Sequence, residues 1–187
     1  MKAIGVVGSP RKNGNTEFLT QHALKAIAEE GIDTELMPLA GLNIQHCNAC
    51  NVCRKEEICP IDDDLFPLYL RLKEADAIIL ASPVYFSSAT SLLKAFMDRA
   101  GYISGARREF AGKVGGPLVV ARRAGQNFTH AQITYWFHIL GFYMPGSTYW
   151  NVAFGREKGE VEKDEEGLRT AWNFGKNVAE LVKKIKG

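Results

Sequence analysis

Four cysteines and one polar loop carry the chemistry open to this sequence. Cys47, Cys50, Cys53 and Cys59 fall within thirteen consecutive positions, spaced C-x2-C-x2-C-x5-C and followed by Pro60. A disulfide framework scatters its cysteines, so clustering of this kind in a reducing compartment favours a metal or redox role. Bacterial ferredoxins use a similar compact run for 4Fe-4S clusters, though their fourth cysteine follows at a shorter gap and serves the other cluster of a pair. The longer gap here would let Cys59 return to the same cluster. Zinc sites usually split their ligands into two pairs a dozen or more residues apart, and three cysteines in seven positions suit a cluster face better. Zinc, and a cysteine loop holding no metal, remain the alternatives.

The polar loop is Gly8-Ser9-Pro10-Arg11-Lys12-Asn13-Gly14-Asn15-Thr16. It follows the apolar run Ala3-Ile4-Gly5-Val6-Val7 and precedes a helical face of Leu19, Ala23, Ala26 and Ile27, so it reads as strand, loop and helix N-terminus. Unpaired N–H groups and the positive end of the helix dipole make such a place an anion site, to which Ser9, Asn13, Asn15, Thr16, Arg11 and Lys12 add donors and charge. The plain alternative is a capped turn with a solvated basic tip. Neither the P-loop pattern nor the G-x-G-x-x-G fingerprint is present.

The elements that must position these groups alternate. After the first helix, Ile32 to Leu39 reads as a strand near a sheet edge, with Pro38 at its end. Ala40 to about Asp62 shows no periodicity and is long for a connection; it holds all four cysteines. Asp62, Asp63 and Asp64 are read as caps of a helix with Leu65, Leu68, Tyr69 and Leu72 on its face. Ala75 to Ala81 reads as a buried strand, followed by Ser82-Pro83-Val84-Tyr85-Phe86-Ser87-Ser88 and a helix through Leu92, Leu93, Phe96, Met97 and Ala100. Gly101 to Gly112 reads as a polar loop with solvated Arg107 and Arg108. Lys113 to Ala121 is a strand ending at Arg122-Arg123-Ala124-Gly125-Gln126. A helix from Phe128 to Leu140, a strand from Thr148 to Phe154, a solvated linker from Arg156 to Glu166 and a helix from Gly167 complete the chain.

Five strands each followed by a helix predict one α/β domain over residues 1–187, a flavodoxin-like doubly wound parallel sheet of order 2-1-3-4-5 with the cysteine-rich loop after strand 2. The loops after strands 1, 3 and 4 then meet at the topological switch point. Phosphate chemistry from the first, with Tyr85, Phe86 and a glycine-bearing backbone from the others, describes FMN.

The sequence resembles the flavodoxin-like NADPH-dependent FMN reductase superfamily through Gly8-Ser9-Pro10-Arg11, Gly14-Asn15-Thr16, Ser82-Pro83-Val84-Tyr85-Phe86 and the pattern Lys94, Asp98-Arg99. Within it, the chain is most similar to the iron-sulfur flavoprotein branch. The resemblance implies that Ser9, Arg11, Asn13, Asn15 and Thr16 hold the FMN phosphate. It implies that Pro83, Val84, Tyr85, Phe86 and Ser87, with Ala121, Arg122 and Gly125, line the ribityl chain and ring. It also implies one 4Fe-4S cluster on Cys47, Cys50, Cys53 and Cys59. His46 reads as a solvent-facing loop histidine.

Composition limits the partners. Lys and Arg number 23 against 21 Asp and Glu, a net charge of +2 with no basic stripe, which argues against nucleic acid. No apolar run approaches the ~20 residues of a membrane span, and the start is too short and glycine-rich for a signal peptide, so a cytoplasmic protein is expected. The expected function is electron transfer between a 4Fe-4S cluster and FMN, with a ferredoxin-like or NAD(P)H donor and a small-molecule or protein acceptor. The reading requires no catalytic acid, base or nucleophile. The alternatives are an NAD(P)H-dependent FMN or quinone reductase without a cluster, and a zinc-stabilised non-redox interaction module. A homo-oligomer is expected from the family; the aromatic segment around Trp136 and Phe142 reads first as core, with a subunit interface as the other reading.

Overall fold

The computed structural model describes residues 1–187. Five parallel strands, β1 (Lys2–Val7), β2 (Asp33–Pro38), β3 (Ala77–Pro83), β4 (Val114–Ala121) and β5 (Val152–Phe154), form one sheet in the order β2-β1-β3-β4-β5. The helices are α1 (Asn15–Ala28), α2 (Leu65–Glu74), α3 (Ser91–Gly105), α4 (Gln126–Ile139) and α5 (Glu165–Lys186). This is the flavodoxin-like doubly wound architecture, with the cysteine-rich loop after β2.

Strand alternation builds two cores. Ile4, Val6, Ile78 and Leu80 face α2, α3 and α4, meeting Leu65, Tyr69, Phe96 and Phe137. Ala3, Ala77, Ile79 and Ala81 face the other way, toward Leu19 and Ile27 of α1 and Phe174 and Val178 of α5. Because both faces of β3 are covered, its sequence is a continuous apolar run, and each fully buried Ile or Leu there contributes about 1.5–3 kcal/mol.

Three elements differ from the sequence reading. Helix α3 does not stop near Ala100 but continues to Gly105, with Ile103 buried on its inner face. Gly101 is a packing residue, since a Cβ there would lie 2.7 Å from Trp136 Nε1. Only Val152–Phe154 of the Thr148–Phe154 run pairs as a strand, because Val152 N–H donates to Trp150 O at 2.7 Å in a tight turn that leaves Tyr149 and Trp150 exposed. The stretch from Arg156 to Glu166 is no solvated linker: it forms a 3-10 turn at Glu160–Lys163, buries Val161 completely, and caps α5 through Asp164, which accepts from Gly167 N–H at 3.0 Å.

Candidate functional site

At the C-terminal edge of the sheet, three loops are tied to one another before any ligand is considered. Gly8 N–H donates to Ala81 O at 2.8 Å, and Thr90 Oγ1 donates to Gly8 O at 2.6 Å while accepting from Leu93 N–H to cap α3. Val84 N–H donates to Val120 O at 2.9 Å, joining the β3 and β4 loops. Between them lies a cleft of about 290 Å³, lined by Ser9, Arg11, Gly14, Asn15 and Thr16, by Pro83, Val84 and Tyr85, by Val120 and Arg122, and by Gly155 and Arg156.

The cleft is built for an anion at one end. Gly14 caps α1 without a side chain, so no side-chain acceptor serves the first-turn N–H groups. Arg11, Arg122 and Arg156 stand around the cleft, and no carboxylate lines it; Arg156 also pairs at the surface with Glu157 at 3.2 Å. Ser9 is buried, and its Oγ accepts from Arg11 N–H at 3.1 Å, which fixes the loop. Asn15 reaches the cleft but commits its amide elsewhere: Nδ2 donates to Glu157 O and Oδ1 accepts from Gly159 N–H, both at 2.8 Å. Asn13 takes the left-handed conformation at φ 52°, its N–H donating to Glu17 Oε2, and does not line the cleft.

The ring side is shaped by a two-residue turn. Tyr85 and Ser88 exchange backbone hydrogen bonds at 2.9 and 3.0 Å, with Phe86 and Ser87 both at positive φ, as in a type I′ hairpin turn. A Phe in that region is uncommon and costs about 1–3 kcal/mol, yet the turn leaves its ring fully exposed at the cleft's rim. Gly125, at φ 86°, packs against this turn; a Cβ there would lie 2.8 Å from Ser87 Oγ. Phe86, Ser87, Ala121 and Gly125 do not line the cleft, while Pro83, Val84, Tyr85 and Arg122 do.

The cysteines form a second, separate site. Cys47, Cys50, Cys53 and Cys59 all line one cavity of about 50 Å³, closed by Pro60, Ile61, Arg99, Tyr102 and Ile103. All four thiols are free. Burial pushes the Cys53 thiol up, and the nearby thiols of Cys59, Cys47 and Cys50 add to the shift. No three His, Cys, Asp or Glu side chains stand close enough to hold a single metal ion.

The loop is pinned at its base and its tip. Arg99 is 1% exposed and forms a buried ion pair with Asp63, whose side chain is 0% exposed. The carboxylate also accepts N–H bonds from Gln45 at 2.8 Å and Leu65 at 3.1 Å. Burial alone would raise its pKa, but these partners hold it below the usual carboxylate range. Of the three aspartates read as caps, Asp63 accepts from the first N–H of α2 and also anchors the cysteine loop, whereas Asp64, at the N-cap itself, makes no side-chain cap and accepts from Asn43 N–H at 2.7 Å. Arg107 reads as a solvated charge but donates to Cys53 O at 3.3 Å and Lys55 O at 2.8 Å. Glu57 accepts from Tyr69 Oη at 2.9 Å and Lys73 Nζ at 2.7 Å.

Arg99 also tests whether the cavity suits a sulfur-rich cluster. Four of the five guanidinium donors have acceptors: Gln45 O, both Asp63 oxygens and Cys59 Sγ, the last at 3.2 Å from Nη2. The fifth, Nε, is buried without a partner, at a cost of about 1–3 kcal/mol or more for a charged group. Four thiols on one cavity, walled by a buried guanidinium with an unspent donor, fit a thiolate-held cluster. Arg156, Gly155, Asp63 and Arg107 were absent from the sequence-derived site; only Gly155 carried a signal, standing just after a strand's C-terminal end.

The sequence matches the family described as NADPH-dependent FMN reductase over residues 1–157. It is 44% identical over 193 residues to an iron-sulfur flavoprotein of Methanocaldococcus jannaschii, covering 100% of both chains. It is 35% identical over 191 residues to an iron-sulfur flavoprotein of Methanosarcina thermophila, covering 100% of this chain and 97% of that one. Among solved structures, RosB with bound 8-demethyl-8-formylriboflavin-5'-phosphate superposes with a TM-score of 0.81 at 17% identity, over 100% of this chain and 80% of that chain. A flavodoxin from the Archaea superposes at 0.66 and 17% identity, over 98% and 99%; at such identities the likeness is one of fold. The chain belongs to the NADPH-dependent FMN reductase family, in its iron-sulfur flavoprotein branch.

Proposed function

We propose that this protein is an electron-transfer flavoprotein that binds FMN in the cleft and a 4Fe-4S cluster on Cys47, Cys50, Cys53 and Cys59. The observation that carries the reading is the convergence of all four cysteines on one cavity, beside a buried guanidinium with an unspent donor, in a chain whose other cleft is an anion site flanked by an aromatic turn. When bound, the cluster would relay single electrons and the FMN store two, so two transfers from a ferredoxin-like one-electron donor and two protons from solvent balance one flavin reduction.

The chain's own residues bind and orient. Arg11 and Arg122, with the N–H groups at the start of α1, neutralise the phosphate. Asn15 closes the 157–159 segment over that end. Pro83, Val84 and Tyr85 offer one wall, held by the Val84–Val120 hydrogen bond. Asp63 and Arg107, with Tyr69 and Lys73 acting through Glu57, hold the cysteine loop against α2 and α3, with all four cysteines on one cavity.

No residue lines both cavities. A homo-oligomer is part of the proposal, with the electron path between the two cavities crossing to a second copy. The exposed side chains of Phe86, Phe128, Tyr135 and Ile139 support such an interface.

The test is iron, sulfide and flavin analysis of protein purified and reconstituted without oxygen. The proposal expects four irons, four sulfides and one FMN per chain. Flavin without iron, bleached by NADPH, would establish the cluster-free reductase; zinc without flavin would establish the non-redox module.

A further inference from the structure

Arg99 stands out among the buried groups because the flavin cleft has no use for it. It lies two turns into α3, about 12 Å along the axis from Ser91, and its side chain points into the cavity wall beneath the cysteines. Its contacts are unequal. Asp63 takes one donor from each terminal nitrogen, Gln45 O takes a second from Nη1, and the remaining Nη2 donor goes to Cys59 Sγ alone. The sulfurs of Cys47, Cys50 and Cys53 receive no side-chain donor, Cys47 accepting only a long backbone N–H from Ala49 at 3.4 Å. One corner of the four-cysteine cavity is therefore held by a buried cation, and the other three are not.

We propose that Arg99 is a positioning residue that holds Cys59 in place and, through its N–H···S bond, raises the reduction potential of the bound cluster. The inference rests on the cluster reading above. Reduction adds one electron to the cluster from a one-electron carrier, with no bond made or broken and no proton required. That charge spreads onto the cysteine sulfurs, so a donor aimed at one of them favours the reduced state. Hydrogen bonds to sulfur, net charge and burial are the means by which a protein sets such a potential. All three meet at Arg99: it donates to Cys59, it is cationic, and it is 1% exposed. Asp63 offsets part of the charge, but Nη2 keeps one of its two donors for the sulfur.

The test is an EPR-monitored potentiometric titration of the anaerobically reconstituted holoprotein and its variants. Arg99→Lys keeps a cation beside Asp63 but loses the planar fork that serves Asp63 and Cys59 together. Because one partner's loss can unfold a buried pair, the double variant Arg99→Met with Asp63→Asn is measured in parallel. The asparagine side chain in that variant keeps one of the two acceptors that serve the Gln45 and Leu65 N–H groups, and FMN binding at the separate cleft reports that the chain is folded.

At the wild-type midpoint, the ratio of reduced to oxidised cluster should fall about tenfold in either variant, equivalent to about 59 mV for a one-electron couple. Variants that hold iron and FMN and titrate at the wild-type potential would overturn the role given to Arg99 while leaving the cluster reading intact. A wild-type protein that takes up no iron would instead overturn the reading on which the inference rests.

Discussion

Replacing Arg11 by Gln separates phosphate recognition from recognition of the rest of the flavin. Arg11 lines the cleft from the β1 loop, and Arg122 faces it from the β4 loop, with no carboxylate between them. A charge-assisted hydrogen bond is worth about 1.5–3 kcal/mol, or roughly 10- to 150-fold in affinity at 1.4 kcal/mol per tenfold. Arg11 is exposed, so screening places the expected loss at the lower end, about 10- to 30-fold near 0.1 M salt. Arg156→Gln should cost less, because Glu157 already offsets part of that charge. Quenching of flavin fluorescence by apoprotein measures both, with riboflavin as the phosphate-free control. Arg11→Gln should weaken FMN and leave riboflavin binding within about twofold. Equal losses for both flavins would refute the assignment of this loop to the phosphate.

Four further outcomes follow from the packing. Asp63→Asn disturbs a pair that is 0–1% exposed, where removing one partner costs about 3–5 kcal/mol; since Asn still accepts hydrogen bonds, about 3 kcal/mol and a fall in Tm of about 6–12 °C are expected by thermal melting. The Asp63 carboxyl is held below its ordinary pKa, near 3.9. Its stabilisation is therefore fully present above that value and is lost as pH falls through the native one, so the wild type should lose Tm below about pH 4 more steeply than Asp63→Asn. Gly155→Ala would put a Cβ 2.7 Å from Val161 N and 2.8 Å from Asn15 Nδ2, costing about 1–3 kcal/mol by overpacking and weakening FMN binding without removing a charge. Arg107→Ala should leave Tm within about 1 kcal/mol equivalent but speed loss of iron to a chelator, since it frees the carbonyls of Cys53 and Lys55.

The fold was legible because burial writes itself into alternation. The continuous apolar run Ala77–Ala81 announced a strand covered on both faces, and the helical face of Leu65, Leu68, Tyr69 and Leu72 announced α2. What periodicity could not convey was a residue's second partner. Asp63 reads as a cap and is one, yet its energetic weight lies in Arg99, 36 residues away. Arg107 reads as a loop charge because nothing local shows that the cysteine loop folds back to meet it. Gly101 resembled a helix stop, since a glycine required by a neighbouring indole looks like any other glycine in one dimension. The cleft was half legible: its first three loops follow from strand order, whereas Gly155 and Arg156 enter because the 156–166 segment folds onto α1 through Asn15.

The central claim is that electrons reach FMN by way of the cysteines, and stopped-flow mixing tests it most directly. Anaerobic holoprotein and a Cys53→Ser variant, both loaded with FMN, are mixed with reduced ferredoxin while flavin absorbance is followed. The account predicts rapid bleaching in the wild type and at least a hundredfold slower bleaching in the variant. Equal rates in the two proteins, or a flavin that only NADPH reduces, would contradict it.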